Sequence, residues 1–305
     1  MKTAQHLLRL LLVVLFIAQA GAASAQDRPT AGEAVAVGKF SVIPLFDGKH
    51  SFPLNVFHGA DEATQQKIAG EQSVPGSYNV FLIKRGNNRY LVDTGNGTLR
   101  PDRTGQLLLS LDLAQTTPEE IDKILITHLH GDHLGGLIHE GKPVFPKAKV
   151  YVARAEYNYW KSDEAMSKAP QGRRALFALV RDVVRILEQH KLLFLFNPGA
   201  KVAFGVTSVD LSGHTPGHAG FQLESGGKKL LFVGDLLHGA AIQLPRPDIT
   251  VNFDVDESKA KAMRLRTFKQ LAQARTTPIA ATHLPFPGIG FIRQEGAGYK
   301  LESLK

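Results

Sequence analysis

The chain has 305 residues, 43% of them hydrophobic, enough to bury a sizeable core in one large domain or two small ones. Its formal net charge of +8 is spread along the chain, with no Lys/Arg block interleaved with aromatics, which argues against a nucleic-acid partner. There is no cysteine, so disulfides and thiolate ligands are excluded and any metal site must be built from nitrogen and oxygen.

At the N-terminus, Lys2 and Arg9 accompany the apolar run 7–20, and Ala23-Ser24-Ala25 forms a small-x-small site before Gln26. This pattern predicts a secretory signal peptide over residues 1–25, its apolar run short for a membrane span, with a retained N-terminal anchor as the alternative. Its removal takes away Lys2 and Arg9 and lowers the charge from +8 to +6. Export without disulfides suits a periplasmic or secreted protein with no membrane attachment after cleavage. Residues 26–35 then read as a flexible tail, and 36–305 as the working domain.

Residues 34–46 read as a strand ending at an Asp47-Gly48 turn. Residues 51–76 are mixed, with a short helix around 61–69, and Phe52, Leu54 and Phe57 could line the mouth of a site. Residues 78–83 and 89–92 flank Gly86-Asn87-Asn88 as a hairpin that runs into Asp93-Thr94-Gly95-Asn96-Gly97. A helix is expected over 104–115, and Thr117-Pro118-Glu119-Glu120 has the cap, proline and acids of another helix start.

The strand 123–127 then delivers Thr127-His128-Leu129-His130-Gly131-Asp132-His133. Three imidazoles and a carboxylate lie within six residues, directly after the apolar Ile124-Leu125-Ile126. His128 and His130 can face one way at a strand end, and Gly131 lets the chain turn so that Asp132 and His133 join them. Neutral imidazole and carboxylate suit zinc and its divalent neighbours.

A strand at 149–153 precedes a long helical region, 154–190, broken at Pro170-Gln171-Gly172. Phe177, Val180, Val183, Val184 and Leu187 recur in it at helical spacing and are expected in the core. The second half repeats the outline of the first. A strand at 202–211 leads to Ser212-Gly213-His214-Thr215-Pro216-Gly217-His218, a hairpin at Gly226-Gly227 leads to Gly234-Asp235, and a helix over 257–275 precedes a short strand ending at His283. Two half-domains packed sheet to sheet are expected. His214, Asp235 and His283 each follow a strand, and with the first loop they make five histidines and two aspartates. That is too many for one tetrahedral zinc and suits two metals sharing a carboxylate. His218 and His238 lie close to ligands and could support them, whereas His50, His58 and His190 are expected to face solvent.

The series His128-x-His130-x-Asp132-His133, His214, Asp235, His283 resembles that of the binuclear metallo-β-lactamase superfamily, and Asp93-Thr94-Gly95 is similar to its first motif. Within it, the stretches 127–137, 214–218, 234–236, 240–243 and the tail from His283 to Tyr299 are most similar to methyl parathion hydrolases and related lactonases. The resemblance implies an α/β fold of the αβ/βα four-layer sandwich type and two divalent metal ions, Zn2+ first, with Mn2+, Co2+ or Fe2+ as alternatives. It also implies a small-molecule substrate and, in many members, a homodimer. It assigns His128, His130 and His214 to one metal, Asp132, His133 and His283 to the other, and a bridging, catalytic role to Asp235 with Asp132 beside it. Asp93 becomes a support for the ligands rather than a ligand. Trp160 falls where the resemblance implies a pocket tryptophan, whereas His238 stands where those enzymes are apolar. The activity implied is hydrolysis of an ester or lactone, then of a phosphotriester, with a β-lactam or thioester as the further alternatives. Outside catalysis, a metal-binding protein without turnover is the competing expectation.

Overall fold

A computed structural model describes residues 28–100, 102 and 104–304, so the expected signal peptide lies outside the described residues. Seven strands form the first sheet in sequence order: β1 (Val35–Val37), β2 (Phe40–Pro53), β3 (Ser73–Arg85), β4 (Asn88–Val92), β5 (Lys123–Leu125), β6 (Lys149–Ala153) and β7 (Leu193–Phe196). β1 to β4 are antiparallel neighbours, and β4 to β7 run parallel to one another. The second sheet holds β8 (Lys201–Ala203), β9 (Val206–Asp210), β10 (Ala219–Ser225), β11 (Lys228–Gly234), β12 (Ile279–Ala281), β13 (Ile289–Glu295) and β14 (Gly298–Ser303), again in sequence order. Here β11 and β12 are the parallel pair.

The helices are α1 (Glu62–Ala69), α2 (Leu107–Leu113), α3 (Gly131–Leu134), α4 (Arg154–Lys161), α5 (Asp163–Lys168), α6 (Gln171–Gln189), α7 (Ala240–Gln243) and α8 (Glu257–Ala274). Side chains alternate across a strand, so β3 sends Phe81 and Ile83 one way and Leu82 the other. Phe81 and Ile83 meet Phe221, Leu223 and Phe232 of the second sheet, with the Phe81 and Phe232 rings 5.5 Å apart. Leu82 packs with Leu91 and Val150 against α2 and α6. Phe177, Val180, Val184 and Leu187 of α6 are buried there, as their spacing requires. On the far side, Leu231 and Ile279 bury against Met263, Phe268 and Leu271 of α8. The layers are therefore helix, sheet, sheet, helix, the expected four-layer sandwich.

Several elements differ from the expectation. Residues 30–32 are not a loose tail, because Gly32 N–H donates to the Pro44 carbonyl (2.8 Å) and Phe46 N–H to the Thr30 carbonyl (2.9 Å), pairing this segment with β2. The start at Thr117 yields a single 3-10 turn, Pro118–Glu120, because Asp122 N–H then pairs with Arg89 of β4 and draws the chain into β5. The strand over 202–211 is split by a tight turn at Gly205, whose φ is +75°. Among the described residues no helix is long and apolar enough to cross a membrane.

β2 does not stop at Asp47-Gly48. The register shifts between Phe46 and Gly48, a bulge, and the strand continues to Pro53. The bulge turns Asp47 inward, where it accepts hydrogen bonds from Asn96 N–H (2.9 Å) and Leu107 N–H (3.0 Å), holding the loop after β4 against the start of α2. Burial raises its pKa from 3.8 to about 6, against the lowering effect of these donors. The native state thus holds this proton more tightly than the unfolded chain, and its contribution is fully present below pH 3.8 and lost as pH rises through about 6. The stability difference between the native protein and Asp47→Asn is therefore expected to change by about 2 kcal/mol between pH 4 and 6. Chemical denaturation at fixed metal concentration over that range measures it, and a constant difference would contradict the assignment.

Candidate metal centre

Every predicted ligand sits at the end of a strand that a rigid sheet holds in place. β5 leads to His128, His130 and the short α3 with Asp132 and His133, β9 to His214, β11 to Asp235 and β12 to His283. Because β4, β5 and β6 are parallel, and β11 and β12 likewise, their C-terminal ends share one edge of the sandwich. The two sheets bring all seven side chains together there.

The seven predicted ligands fall into two groups, His128, His130, His214 with Asp235, and Asp132, His133, His283, and a third group, Asp235, His238 and His283, shares one member with each. In the first, His130 Nδ1 lies 3.0 Å from His128 Nε2 and 2.9 Å from His214 Nε2, while Asp235 Oδ2 lies 3.3 Å from His214 Nε2 and 3.6 Å from His128 Nε2. In the second, Asp132 Oδ2 lies 3.7 Å from His133 Nε2 and 3.4 Å from His283 Nε2. Asp235 reaches this group too, Oδ1 at 3.1 Å from His133 Nε2 and Oδ2 at 3.1 Å from His283 Nε2. Bonds of ~2.0–2.1 Å to a tetrahedral zinc place its ligand atoms ~3.3 Å apart, the spacing found in both groups.

The donor chemistry also fits a cation. His214 Nδ1–H donates to Asp254 Oδ1 (2.8 Å) and His133 Nδ1–H to Asp93 Oδ2 (2.8 Å), so both Nε2 atoms point inward and offer a lone pair once their proton leaves. His133 Nε2 and Asp235 Oδ1 are buried and face each other without a satisfied hydrogen bond. Burial and the neighbouring imidazoles hold His128 and His130 well below the usual histidine range, leaving both neutral. Burial also opposes charge on His133 and His214, but carboxylates outweigh it, Asp235, Asp93 and Asp132 for His133, and Asp235 with Asp254 for His214. His133 is held well above 6.5 and His214 at about 9. Metal uptake therefore displaces protons from these two rings. At pH 7.5 calorimetric titration in buffers of different ionisation enthalpy is expected to show at least one proton released per protein, and zero release would contradict this charge state.

Asp93 supports the site rather than ligating it. Its carboxylate also accepts from Thr127 N–H (2.8 Å), and its backbone adopts φ +62° to reach both partners. His218 has a hydrogen-bonded role: its Nδ1–H donates to the Leu211 carbonyl (2.9 Å) and its Nε2 accepts from Asp235 N–H (3.1 Å). His238 lines the site, its Nε2 lying 3.0 Å from Asp235 Oδ2 and its ring stacked on His283 at 5.1 Å. Burial depresses its pKa to about 4.

Two pocket expectations are corrected. Phe57 points away from the cavity into a satellite core with Leu54, Val56 and Ile242, because the extended β2 places Phe52 on the cavity wall instead. Trp160 lies behind the wall, edge-on to His130 at 5.7 Å, with its Nε1–H donated to Glu156 (2.6 Å). His50 is also corrected: on the extension of β2 it packs against Phe52 (4.1 Å) and His283 (5.1 Å) rather than facing solvent. His58 does face solvent, paired with Glu257 at 2.9 Å, and His190 is exposed at the end of α6.

Above the ligands lies a cavity of about 540 Å³ walled by Phe52, Tyr78, Leu99, Leu176, Leu179 and Phe253. Burial, then Asp132, raises the pKa of Tyr78, so its phenol keeps its proton near neutral pH and can donate to a substrate oxygen. Tyr78, Asp254 and Glu156 were not identified from sequence. Asp254 and Glu156 lie far from the motifs they serve, and no spacing rule links them.

Residues 73–283 match the family model described as the metallo-beta-lactamase superfamily. The chain is 44% identical over 62 residues to the anti-Pycsar protein Apyc1 of Paenibacillus sp. (strain J14), which is 20% of this chain and 25% of that protein. It is 26% identical over 161 residues to a beta-lactamase-like protein 2 homolog of Caenorhabditis elegans, 53% of this chain and 44% of that one. It thus spans a quarter to under half the length of these relatives. Among solved structures it is similar to the hydrolase AbOPH in the beta lactamase superfamily, with TM-score 0.85 and 28% identity over 91% of this chain and 99% of that one. It is also similar to AidC, described as a dizinc quorum-quenching lactonase in complex with a product, with TM-score 0.85 and 26% identity over 92% of this chain and 99% of that one.

Proposed function

The chain belongs to the metallo-β-lactamase superfamily, and from that premise we propose that this hydrolase uses two divalent metal ions to open lactones or cleave related esters. The observation that carries the reading is the convergence of seven ligand side chains, in two groups joined by Asp235, beneath a largely apolar cavity. The likeness to AidC over nearly the whole chain favours a lactone among the substrate classes. Zinc suits the nitrogen and oxygen donors, as do manganese, cobalt and iron, so supply decides occupancy.

His128, His130 and His214 would hold one ion and Asp132, His133 and His283 the other, with Asp235 between them. When bound, the ions supply Lewis-acid polarisation of the substrate oxygen and a water acidic enough to act as nucleophile near neutral pH. The residues do the rest. Asp93 and Asp254 hold the His133 and His214 rings with their Nε2 atoms turned inward. Phe52, Phe253 and the leucines exclude bulk water and receive an apolar substituent of the substrate, while the Tyr78 hydroxyl is placed to donate to a developing oxyanion.

A hydrolysis panel on metal-loaded protein tests this: an acyl homoserine lactone, an aryl ester, a phosphotriester and a β-lactam. The lactone or the aryl ester is expected to turn over at least about a hundred-fold faster than the β-lactam in kcat/KM. Preference for the β-lactam overturns the reading, and preference for the phosphotriester moves it to the branch of the methyl parathion hydrolases. Export to the periplasm or medium is part of the proposal through residues 1–25, and a homodimer through the family resemblance.

A further inference from the structure

The ligands of the first metal position come from different half-domains. His128 and His130 leave β5 of the first sheet, and His214 follows β9 of the second. Their ring nitrogens must nevertheless meet at 2.9–3.0 Å, so the spacing of two loops has to be set within tenths of an ångström.

Glu156, in the first turn of α4, touches both loops. Its Oε1 accepts from the N–H of Leu129, the residue between His128 and His130 (3.0 Å), and from Trp160 Nε1–H (2.6 Å). Its Oε2 accepts from the Thr215 hydroxyl (2.6 Å) and from Gly217 N–H (3.0 Å), on the loop that begins with His214. The side chain is fully buried, and four donors satisfy a carboxylate that would otherwise be costly there. The close approach depends on glycine: a Cβ at Gly217 would lie 2.1 Å from the Glu156 backbone nitrogen. Glu156 is outside the cavity lining, so it meets no substrate. The second position is held separately. Asp132 and His133 ride on α3, whose His133 carbonyl accepts from Thr94 N–H (2.8 Å) and whose His133 ring is fixed by Asp93.

We propose that Glu156 is a positioning residue that couples the two half-domains at the metal position formed by His128, His130 and His214, and sets the affinity of that position selectively. The proposal rests on the metal-binding part of the proposed function and is independent of the substrate.

The test is Glu156→Gln, which keeps the volume but turns an NH2 group toward two of the four donors, with Thr215→Val as a milder second variant. Metal binding is measured by competition with a chelator and by the visible spectrum of the Co2+-loaded protein, alongside the melting temperature of the metal-free protein. Glu156→Gln is expected to weaken one metal equivalent by about 10- to 100-fold while the other is unchanged, the range typical of residues that orient metal ligands. The Co2+ bands of the weakened equivalent should shift, and Thr215→Val should show a smaller loss of the same kind. Equal weakening of both equivalents together with a lower metal-free melting temperature makes Glu156 merely structural and overturns the proposal, as does unchanged affinity for both. If Glu156→Gln does not fold, selective weakening in Thr215→Val decides. Wild-type protein holding fewer than two equivalents overturns both this proposal and the two-metal reading. Absent lactone turnover with both metals bound overturns only the substrate assignment.

Discussion

Asp235→Ala is expected to lower kcat/KM by at least about a thousand-fold, roughly 4 kcal/mol of transition-state stabilisation, and to leave fewer than two metal equivalents per chain. Asp235 is the carboxylate that reaches both ligand groups, with Oδ2 at 3.3 Å from His214 Nε2 and 3.1 Å from His283 Nε2, and Oδ1 at 3.1 Å from His133 Nε2. The surrounding imidazoles outweigh its burial and hold it ionised, well below the usual carboxylate range. Without it the two proposed positions would lose their shared ligand and the negative charge that would offset two dications. Asp235→Asn separates these effects, since it keeps the shape and removes the charge. Elemental analysis with steady-state kinetics on the substrate chosen by the panel gives the answer. Two equivalents and an unchanged rate in Asp235→Ala would remove the bridging role.

Stripping the metals with a chelator should destabilise the protein as well as silence it. Ligands that bind only the folded state stabilise it by mass action, about 4 kcal/mol for a site at a thousand times its dissociation constant. Two such sites contribute about 8 kcal/mol, comparable with the whole stability of an ordinary domain. With no cysteine to crosslink it, the protein has no disulfide reserve behind that loss. For a domain of this size, the melting temperature of the chelated protein is expected to fall by roughly 15 °C or more, and to recover on adding Zn2+. A melting temperature insensitive to chelation, with metal removal confirmed by elemental analysis, would mean that the cluster contributes little to folding.

The architecture and the ligands were legible in the sequence for a definite reason. Metal ligation restricts residue type, and strand ends restrict position, so His128-x-His130-x-Asp132-His133, His214, Asp235 and His283 stand out beside apolar runs without any knowledge of the fold. The three-to-four spacing in α6 reports its buried face in the same local way. What local pattern could not report was where a strand continues through an irregularity. Asp47-Gly48 has the composition of a turn, yet the partner strand β3 carries β2 through it as a bulge. That one difference buried Asp47, brought His50 beneath His283, and put Phe52 rather than Phe57 on the cavity wall.

The sequence by itself picked out the seven His and Asp side chains that the fold gathers, the absence of sulfur among them, the α/β layering and the repeat of two half-domains. Only the tertiary structure decided what holds those ligands: Asp254 on His214, the separation of Trp160 from the cavity, and Glu156 joined to both Leu129 and Gly217. The physical reason is that a ligand must be of one of a few residue types, whereas its support needs only a buried acceptor at hydrogen-bond distance. Such an acceptor can come from any segment the fold brings near, here from residues 27 and 61 positions along the chain from the groups Glu156 holds.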